Sequence, residues 1–353
     1  MAGRETAPTG VKRGNSNMSS TSLCVLIPAL ATLMTPVLAA DEPVLTVSGT
    51  TWISYDFAGK SWPWWSGGAL LALDGTRFGP HPFVSVFDKD GKTIFSAPFE
   101  LVDGSLQSIY SLARGSDGIV VLGGNAFFSD NAKSVEHFIA WIAPERKEQH
   151  IFRTSFIPDE ITVGADGAIW TQAWDDTKAI DSDHSVIRRL DRSGTLLGAF
   201  VPKSSLTKYI KPGDTIERSH LVSSRDRIGW YSINNREYIE FSLNGSQISR
   251  YPAADLKDFT FTGVGLCDDG GLFVSASRER GPKEYPWQVF ALNRESRTWK
   301  SVAIHESPHR RNWGMILACH GSALVTTTSG PGELTWFMST TSDANRVSTS
   351  APR

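Results

Sequence analysis

Short stretches of alternating apolar and polar residues recur along most of the chain, each bounded by residues that favour turns. Residues 83–87 (FVSVF) and 92–95 (KTIF) flank the turn sequence 88–91 (DKDG), and the turn sequence 191–194 (DRSG) is flanked in the same way. Period-two alternation on both sides of such turns predicts β-hairpins. Stretches with helical periodicity are almost absent between them, so we expect an all-β fold.

A second signal recurs in phase with these hairpins: a tight turn followed by a β-branched or aromatic stretch. Asp117-Gly118, Asp166-Gly167 and Asp269-Gly270 precede such stretches, and three degenerate copies bring the number of units to six, at steps of 43 to 60 residues. Each unit holds two hairpins, which is the size of a four-stranded propeller blade. A radial arrangement covers most of the strand edges. We therefore predict a six-bladed β-propeller of four-stranded antiparallel blades.

The sixth unit lacks an outer strand, because its last predicted strand, residues 334–338, leads into a Ser/Thr-rich, apolar-poor segment. Residues 44–55 have strand character and no partner of their own. We expect this N-terminal strand to join the last blade and close the ring, with an independent N-terminal hairpin as the alternative. The predicted organisation is a propeller over residues 41–340 and a disordered tail over residues 341–353.

The N-terminal segment has the pattern of a targeting signal. Two basic residues precede the apolar stretch 23–34 (LCVLIPALATLM), and small residues at 39–40 suit cleavage. The apolar stretch is too short for a membrane span of about 20 residues, and no stable membrane span is expected. We therefore predict a cleaved signal peptide over residues 1–40 and a secreted or periplasmic protein, with Met18 as an alternative start to Met1.

Composition narrows the function classes. The formal net charge is −2 at pH 7, and loss of the predicted signal peptide, with three bases and one acid, takes it to −4. In the absence of a basic stripe, nucleic acid is not expected as a partner. Only Cys267 and Cys319 lie beyond the signal peptide, too few for a metal site built on cysteine. They could form a disulfide in an oxidising compartment or remain two buried thiols.

One unit resembles a repeat of a known group of propellers. Residues 161–170 (ITVGADGAIW), followed by residues 186–194 (VIRRLDRSG), are similar to a blade of the six-bladed NHL, streptogramin-lyase and TolB-like propellers. The similarity in periodicity extends over about residues 100–300, but only this blade matches closely. The resemblance implies the fold. It does not select a function, because such propellers include binding proteins, hydrolases and lyases.

Two enzyme families within that group use residue patterns that can be sought in this chain. Streptogramin lyases use a Glu-x-His pair on the pore face, and the one Glu-x-His here, Glu148-Gln-His150, falls in a predicted outer hairpin. That placement argues against a lyase of that kind. Gluconolactonase-like propellers use a Glu-Gly-Pro strand start beside a calcium ion, where this chain has residues 61–65 (SWPWW). That difference weakens the lactonase interpretation.

In a propeller, the loops that lead into each innermost strand and those that join the second and third strands converge on one face, here called the loop face. These loops are rich in Trp, Arg and His, whose flat apolar faces and hydrogen-bonding edges suit a sugar or an anionic organic ligand. The candidate ligand-binding residues are Trp64, Trp65, His81, Trp174, His220, Arg278, Arg280, Arg310 and Trp313. The tryptophans at 64 and 65 have a structural alternative, closing the gap between blades, and His220 has the alternative of a capped loop histidine.

One acidic loop could bind a cation. The candidate calcium ligands are Asp175, Asp176 and Asp181, with Asp183 beside them. Their spacing fits no EF-hand loop, and a solvated acidic loop is the alternative. No other cofactor is predicted. Residues 305–309 (HESPH) match the zinc-protease motif formally, but Pro308 disfavours the helix that this chemistry needs, so we interpret the match as chance.

The sequence supports two main function hypotheses. The first is an exported propeller that binds a small molecule, glycan or protein partner on the loop face, without established catalysis. The second is a metal-assisted lactonase, hydrolase or lyase-like enzyme, with His220 as its catalytic candidate and the acidic loop as its metal site. Convergence of His220 with carboxylates and calcium-dependent melting would separate them. A scaffold for assembly is a third hypothesis, which predicts a broad exposed apolar patch.

Overall fold

The fold is all-β, as predicted. A computed structural model describes residues 44–54, 63–74, 82–131, 133–143, 145, 148–174, 183–206, 220–277, 287–305, 316–330 and 333–341. These residues form 24 strands and three 3-10 turns of three residues each. Across this part of the chain, no helix is long and apolar enough to cross a membrane. The predicted signal peptide and most of the predicted tail lie outside it.

The N-terminal strand β1 (Val44–Ser54) precedes four antiparallel sheets, each made of four consecutive strands. The first sheet contains β2 (Trp64–Ser66), β3 (Ala69–Asp74), β4 (Phe83–Phe87) and β5 (Thr93–Pro98). The second contains β6 (Gly104–Arg114), β7 (Val120–Phe128), β8 (Glu136–Ala143) and β9 (Glu148–Thr154). The third contains β10 (Ile157–Val163), β11 (Ile169–Trp174), β12 (Ser185–Leu190) and β13 (Leu196–Pro202). The fourth contains β14 (His220–Ser223), β15 (Arg227–Ser232), β16 (Glu237–Ser242) and β17 (Gln247–Pro252).

The remaining strands join β1 in one eight-stranded sheet. They are β18 (Thr260–Leu266), β19 (Leu272–Ser277), β20 (Trp287–Asn293), β21 (Thr298–His305), β22 (Ile316–His320), β23 (Ala323–Gly330) and β24 (Glu333–Thr341), in the order β18-β19-β20-β21-β1-β24-β23-β22. Strand β1 pairs antiparallel with β24, from Leu45 opposite Thr341 to Ser54 opposite Glu333. Its first three residues also pair in parallel with residues 303–305 of β21. The predicted pairing of the N-terminal strand with the last unit is therefore present.

The recurring Asp-Gly pairs form the turns between the first and second strands. The carboxylate of Asp166 accepts a hydrogen bond from the amide of Ala168, at 3.1 Å. Gly167 has a φ of 80°, a backbone conformation that has a higher energy for a residue with a Cβ atom than for glycine. The turns at Asp117 and Asp269 have the same hydrogen bond and a glycine of positive φ. The sequence repeat thus specifies a repeated backbone conformation.

The core lies between the sheets, where second strands such as β11 and β19 are buried along their whole length. Trp170 on β11 is fully buried and packs on Phe241 of the next sheet, with ring centroids 6.0 Å apart. Trp230 is also fully buried. Both tryptophans therefore belong to the core between the third and fourth sheets.

Hydroxyl groups tie the first strands of successive sheets together. The Ser66 hydroxyl bonds to the backbone of Arg114, the Ser111 hydroxyl accepts from the amide of Ile161, and the Thr162 and Ser223 hydroxyls pair, each at 3.0 Å. Strand β22 also lies against β2. Four-stranded antiparallel blades are thus arranged as a propeller, with the first strand of each blade innermost. Four blades are separate sheets, and the other strands share hydrogen bonds through β1.

A disulfide joins Cys267, directly after β18, to Cys319 on β22, across a sequence separation of 52 residues. Next to it, the amide of Asp268 donates to the carbonyl of Gly321 at 2.8 Å. The sequence left this pairing open, and the structure resolves it in favour of the disulfide. Two innermost strands within the eight-stranded sheet are therefore covalently linked.

Candidate functional site

The loop face is described only in part. The described stretches include residues 99–103, 129–131, 133–135, 233–236 and 253–259. Several sequence-predicted site residues lie outside the described residues: His81, Arg278, Arg280, Arg310, Trp313, Asp175, Asp176 and Asp181. Their roles remain predictions. The candidate site described below comprises side chains at the strand ends that carry these loops.

Trp65 lies where the first sheet meets the eight-stranded sheet. Its side chain is 5% exposed, and its ring packs edge-on against Trp336 and His320, with centroids 6.1 and 5.9 Å away. Trp64 is half-buried and packs against the core between the first and second sheets. This placement matches the structural alternative for Trp65. The predicted ligand-binding role of both residues is untested.

A polar group is buried at the loop-face end of the third sheet. Gln172 on β11 is fully buried, and its side-chain oxygen accepts a hydrogen bond from the indole of Trp230, at 2.9 Å. Because the oxygen is used in this way, the amide nitrogen is directed toward the Asp159 carboxylate, 3.5 Å away. Burial of an amide is unfavourable unless it is hydrogen-bonded, so this arrangement holds Gln172 in one orientation.

Asp159 stands at a β-bulge. Pro158 pairs with Ala173 and Glu160 pairs with Gln172, which leaves Asp159 as the extra residue on β10. Bulges are common beside functional sites because they change the direction of a side chain. Glu160 is half-buried beside it. We name the group formed by Asp159, Glu160, Gln172, Trp174 and His184 the polar cleft.

Trp174 and His184 flank the acidic loop and complete the polar cleft. Their rings meet edge-on with centroids 6.3 Å apart, and Trp174 pairs with Ile157 at the end of β11. Asp183 accepts hydrogen bonds from the backbone amide and the hydroxyl of Ser204, at 2.8 Å each. These bonds lower the pKa of Asp183 below its ordinary value. Asp183 therefore anchors the 3-10 turn after β13.

His220 lies on the neighbouring innermost strand, at the same end. It is half-buried, begins β14 and pairs with Tyr231, whose ring lies 4.5 Å from that of Phe261 on β18. The hydrogen bond between Thr162 and Ser223 aligns β10 with β14. His220 and Asp159 each lie three residues before these hydroxyls, so both stand toward the loop-face end of neighbouring innermost strands.

His220 and the polar cleft occupy different faces of the fourth sheet. Leu221 packs in the core shared with the third sheet, so its neighbour His220 points to the other side, toward Tyr231. Among the described residues, no three His, Cys, Asp or Glu side chains form a group that could hold a metal ion. The arrangement supplies carboxylate, amide and imidazole groups for hydrogen bonding or proton transfer at one end of the innermost strands.

The Glu-x-His pair is on the outside, as predicted. Glu148 and His150 lie on β9, the outermost strand of the second sheet, and both are exposed. The ring of His150 lies beside that of Trp141, with centroids 5.6 Å apart. This pair therefore lies on the strand of its sheet that is farthest from the innermost strand.

Sequence reasoning missed four members of the polar cleft: Asp159, Glu160, Gln172 and His184. Two signals could have pointed to the first three. Gln172 is an amide residue in a second strand (IWTQAW) whose other side chains are apolar or carry a hydroxyl. Asp159 and Glu160 are two acids near the start of an innermost strand (IPDEITV). Such polar side chains stand where the alternation of a strand predicts core residues, and exceptions of this kind often mark functional sites.

Comparisons with known proteins give no family. No protein-family model and no curated protein matches the chain. Among solved structures it is similar to virginiamycin B lyase from Staphylococcus aureus, at 11% identity and a TM-score of 0.40, over 82% of this chain and 99% of that one. It is also similar to the gluconolactonase XC5397 from Xanthomonas campestris, at 16% identity and a TM-score of 0.45, over 85% and 95% of the two chains.

A third similar structure is that of YjhT, at 9% identity and a TM-score of 0.46, over 82% of this chain and 95% of that one. Likeness at this level assigns no activity. The class of protein, a β-propeller of four-stranded antiparallel blades, follows from the strand order and strand contacts of this chain.

Proposed function

We propose that the chain is a six-bladed propeller in which the eight-stranded sheet comprises two blades. One is β18–β21 and the other is β22–β24 completed by β1 as its outermost strand. The supporting observation is the order of contacts between innermost strands, which runs from β2 through β6, β10, β14, β18 and β22 and back to β2. The parallel pairing of β1 with β21 involves only three residues at the outer edge. Such a ring protects most strand edges.

We propose that this propeller is exported and binds a small molecule, glycan or protein partner on its loop face. The observation that supports this proposal is Gln172, a fully buried amide held between Trp230 and the bulged Asp159. An apolar residue would pack in β11 without needing partners. A buried polar network that fixes the direction of a carboxylate is typical of a binding site. The rings of Trp174, which is 9% exposed, and His184, which is half-buried, pack edge-on at the same strand ends.

Metal-assisted lactonase, hydrolase or lyase-like chemistry is the second candidate function. It is favoured by the location of Asp159 and His220 toward the loop-face end of neighbouring innermost strands. A carboxylate and an imidazole at that end could act as base and acid on a substrate that reaches across the end of the fourth sheet. Calcium, bound by Asp175, Asp176 and Asp181, would be the metal of this hypothesis. Asp183 would not contribute, because its carboxylate is bonded to Ser204.

A thermal-shift screen on residues 41–353, with sugars, organic acids and amines, tests the binding proposal. A ligand at a hundredfold excess over its Kd stabilises the folded state by about 2.7 kcal/mol, which raises the Tm by several degrees. Ligands that raise the Tm are then titrated against Asp159→Asn and, as a matched control, Glu148→Gln on the outer strand. We expect about a tenfold loss of affinity in the first variant and none in the control.

Two outcomes would contradict the binding proposal. One is a screen without any stabilising ligand, and the other is a ligand whose affinity is the same in both variants. The enzyme hypothesis is tested separately with calcium. It predicts that calcium raises the Tm, that a chelator reverses the change, and that hydrolysis of a lactone panel is lost in His220→Asn.

A further inference from the structure

Three exposed apolar side chains stand at the loop-face end of the first and second sheets, and this part of the surface is here called the apolar platform. Seven large apolar side chains are exposed in the described part of the chain, and three of them belong to this region: Phe83, Val102 and Val135. Their exposed fractions are 46%, 87% and 39%. The other four lie near the starts of the outer strands β5, β13 and β17, at the opposite end of their sheets. The three loop-face residues are therefore a separate group.

Backbone hydrogen bonds connect the segments that carry these three residues. The amide of Phe99 donates to the carbonyl of Pro82, at 2.8 Å, which joins the loop after β5 to the start of β4 and Phe83. The amide of Ser129 donates to the carbonyl of Asp103, at 2.9 Å, which joins the same loop to the segment leading to Val135. Phe83, Val102 and Val135 therefore stand on one hydrogen-bonded framework.

Arg153 on β9 stabilises the part of this framework that follows β7. Its guanidinium donates to both oxygens of Asp130, at 2.6 and 2.9 Å, lies 3.3 Å from Glu136 and stacks over the Phe128 ring at 4.2 Å. Leu101 packs against the core while its neighbour Val102 faces solvent. Nothing in the turn requires valine at this position, where polar residues are usual. Exposed apolar residues on a fixed framework with a polar rim are typical of an interaction surface.

The rim of the platform is acidic. Its described charged residues are Glu100, Asp103, Asp130, Glu136, Lys133 and Arg153. Four acids and two bases give a net charge of −2, and Arg153 is already paired with Asp130 and Glu136. A complementary partner would place apolar side chains on Phe83, Val102 and Val135 and basic side chains against the rim.

We propose that this platform binds a segment of a protein partner that carries apolar residues flanked by lysine or arginine. The inference rests on the proposed binding function of the loop face and names its partner class. Val102 is the central contact, since it has the largest exposed fraction to bury. The acidic rim gives the interaction its dependence on salt.

Three short fluorescein-labelled peptides test the proposal by fluorescence anisotropy with residues 41–353. The first alternates leucine and lysine between serine spacers, the second has glutamate for lysine, and the third has serine for leucine. We expect the first to bind and the other two to bind at least about tenfold more weakly. Raising the salt from low to high concentration should weaken the two peptides that carry lysine and should not weaken the glutamate peptide.

Matched variants distinguish peptide binding at the platform from peptide binding elsewhere on the surface. Val102→Asn should weaken the first peptide about tenfold, whereas Ile94→Asn, which changes a side chain 51% exposed at the other end of the first sheet, should leave it unchanged. The double change Glu100→Gln/Asp103→Asn should remove much of the salt dependence, and Glu145→Gln/Glu148→Gln should not. Each variant is first shown to retain the native Tm.

The proposal is overturned if no peptide binds, if the three peptides bind equally, or if Val102→Asn and Ile94→Asn have the same effect. Should the peptides fail while ligands from the thermal-shift screen still respond to Asp159→Asn, the platform proposal is wrong and the proposed function stands. Failure of both would remove the binding function as well.

Discussion

The buried carboxylate of Glu240 allows a quantitative test of how the fourth sheet is held to the eight-stranded sheet. Glu240 lies on β16 and is fully buried, and Arg294, in the turn after β20, donates to its two oxygens at 2.6 Å each. Arg294 also donates to the carbonyl of Gly270, and Arg227 lies 3.5 Å from Glu240. Burial opposes the charged guanidinium, but the hydrogen bonds and charge of Glu240 raise the pKa of Arg294 above its ordinary value. Arg294 is therefore charged.

Replacing Arg294 by methionine leaves Glu240 buried without its main partner. Breaking a buried pair in this way costs about 3–5 kcal/mol, and the presence of Arg227 places the expected loss near about 3 kcal/mol. Glu240→Gln should cost less, about 1–2 kcal/mol, because a quarter of the Arg294 side chain is exposed and can be hydrated. The double change Glu240→Leu/Arg294→Met should stay within about 1 kcal/mol of the native chain, since no charge remains buried.

Urea unfolding followed by tryptophan fluorescence measures these differences as shifts of the midpoint at constant slope. Arg250→Met is the matched control, because Arg250 is a more exposed arginine, 3.5 Å from Glu237, and should lose less than about 1 kcal/mol. An Arg294→Met chain no less stable than Arg250→Met would contradict this role of the ion pair. A double change as unstable as Arg294→Met alone would contradict it as well.

Three further predictions concern other parts of the fold. Gly245→Ala should cost more stability than Gly270→Ala in the same urea assay. Both glycines have positive φ, but a Cβ at 245 would lie 2.2 Å from the Phe200 ring, whereas the space at 270 is open. Replacing both disulfide cysteines by serine should lower stability by up to about 4 kcal/mol, and the protein over residues 41–353, which lacks Cys24, should show no reactive thiol; a thiol titration that finds two would contradict this. Burial raises the pKa of Tyr238 well above its ordinary value, so the contribution of this phenol to stability should be constant below pH ~10 and should be lost as the pH rises further. In Tyr238→Phe, the Tm measured from pH 8 to pH 11 should fall less than in the native chain; an equal fall would contradict the assignment.

The strand pattern made much of the fold predictable. Alternation around the turns at Asp88 and Asp191 and the Asp-Gly repeats specify hairpins through local backbone chemistry, and local signals are the ones a single sequence carries. Trp170 and Trp230 were predictable as core because both stand within β-branched or apolar stretches. The pairing of β1 with β24 followed from a count of strands, in which one unit had a strand too few.

The candidate site was less predictable, because it depends on geometry between distant residues. The bulge that turns Asp159 toward Gln172 depends on the register of β10 against β11, which residue spacing does not reveal. The pairing of Cys267 with Cys319 requires two innermost strands to lie side by side. Trp65 stood in a loop-face segment by its position in the sequence, and only the fold shows it packed on Trp336.

The position of β1 has a consequence for how the chain reaches its native state. The Ser48 hydroxyl donates to the carbonyl of Met338, at 2.9 Å, across 290 residues of sequence. During synthesis this first strand stays without its antiparallel neighbour until residues 333–341 have been made. Contacts so distant in sequence form slowly. A chain shortened before residue 333 would lose the antiparallel neighbour of its own beginning, and we expect it to accumulate as an open, sticky intermediate.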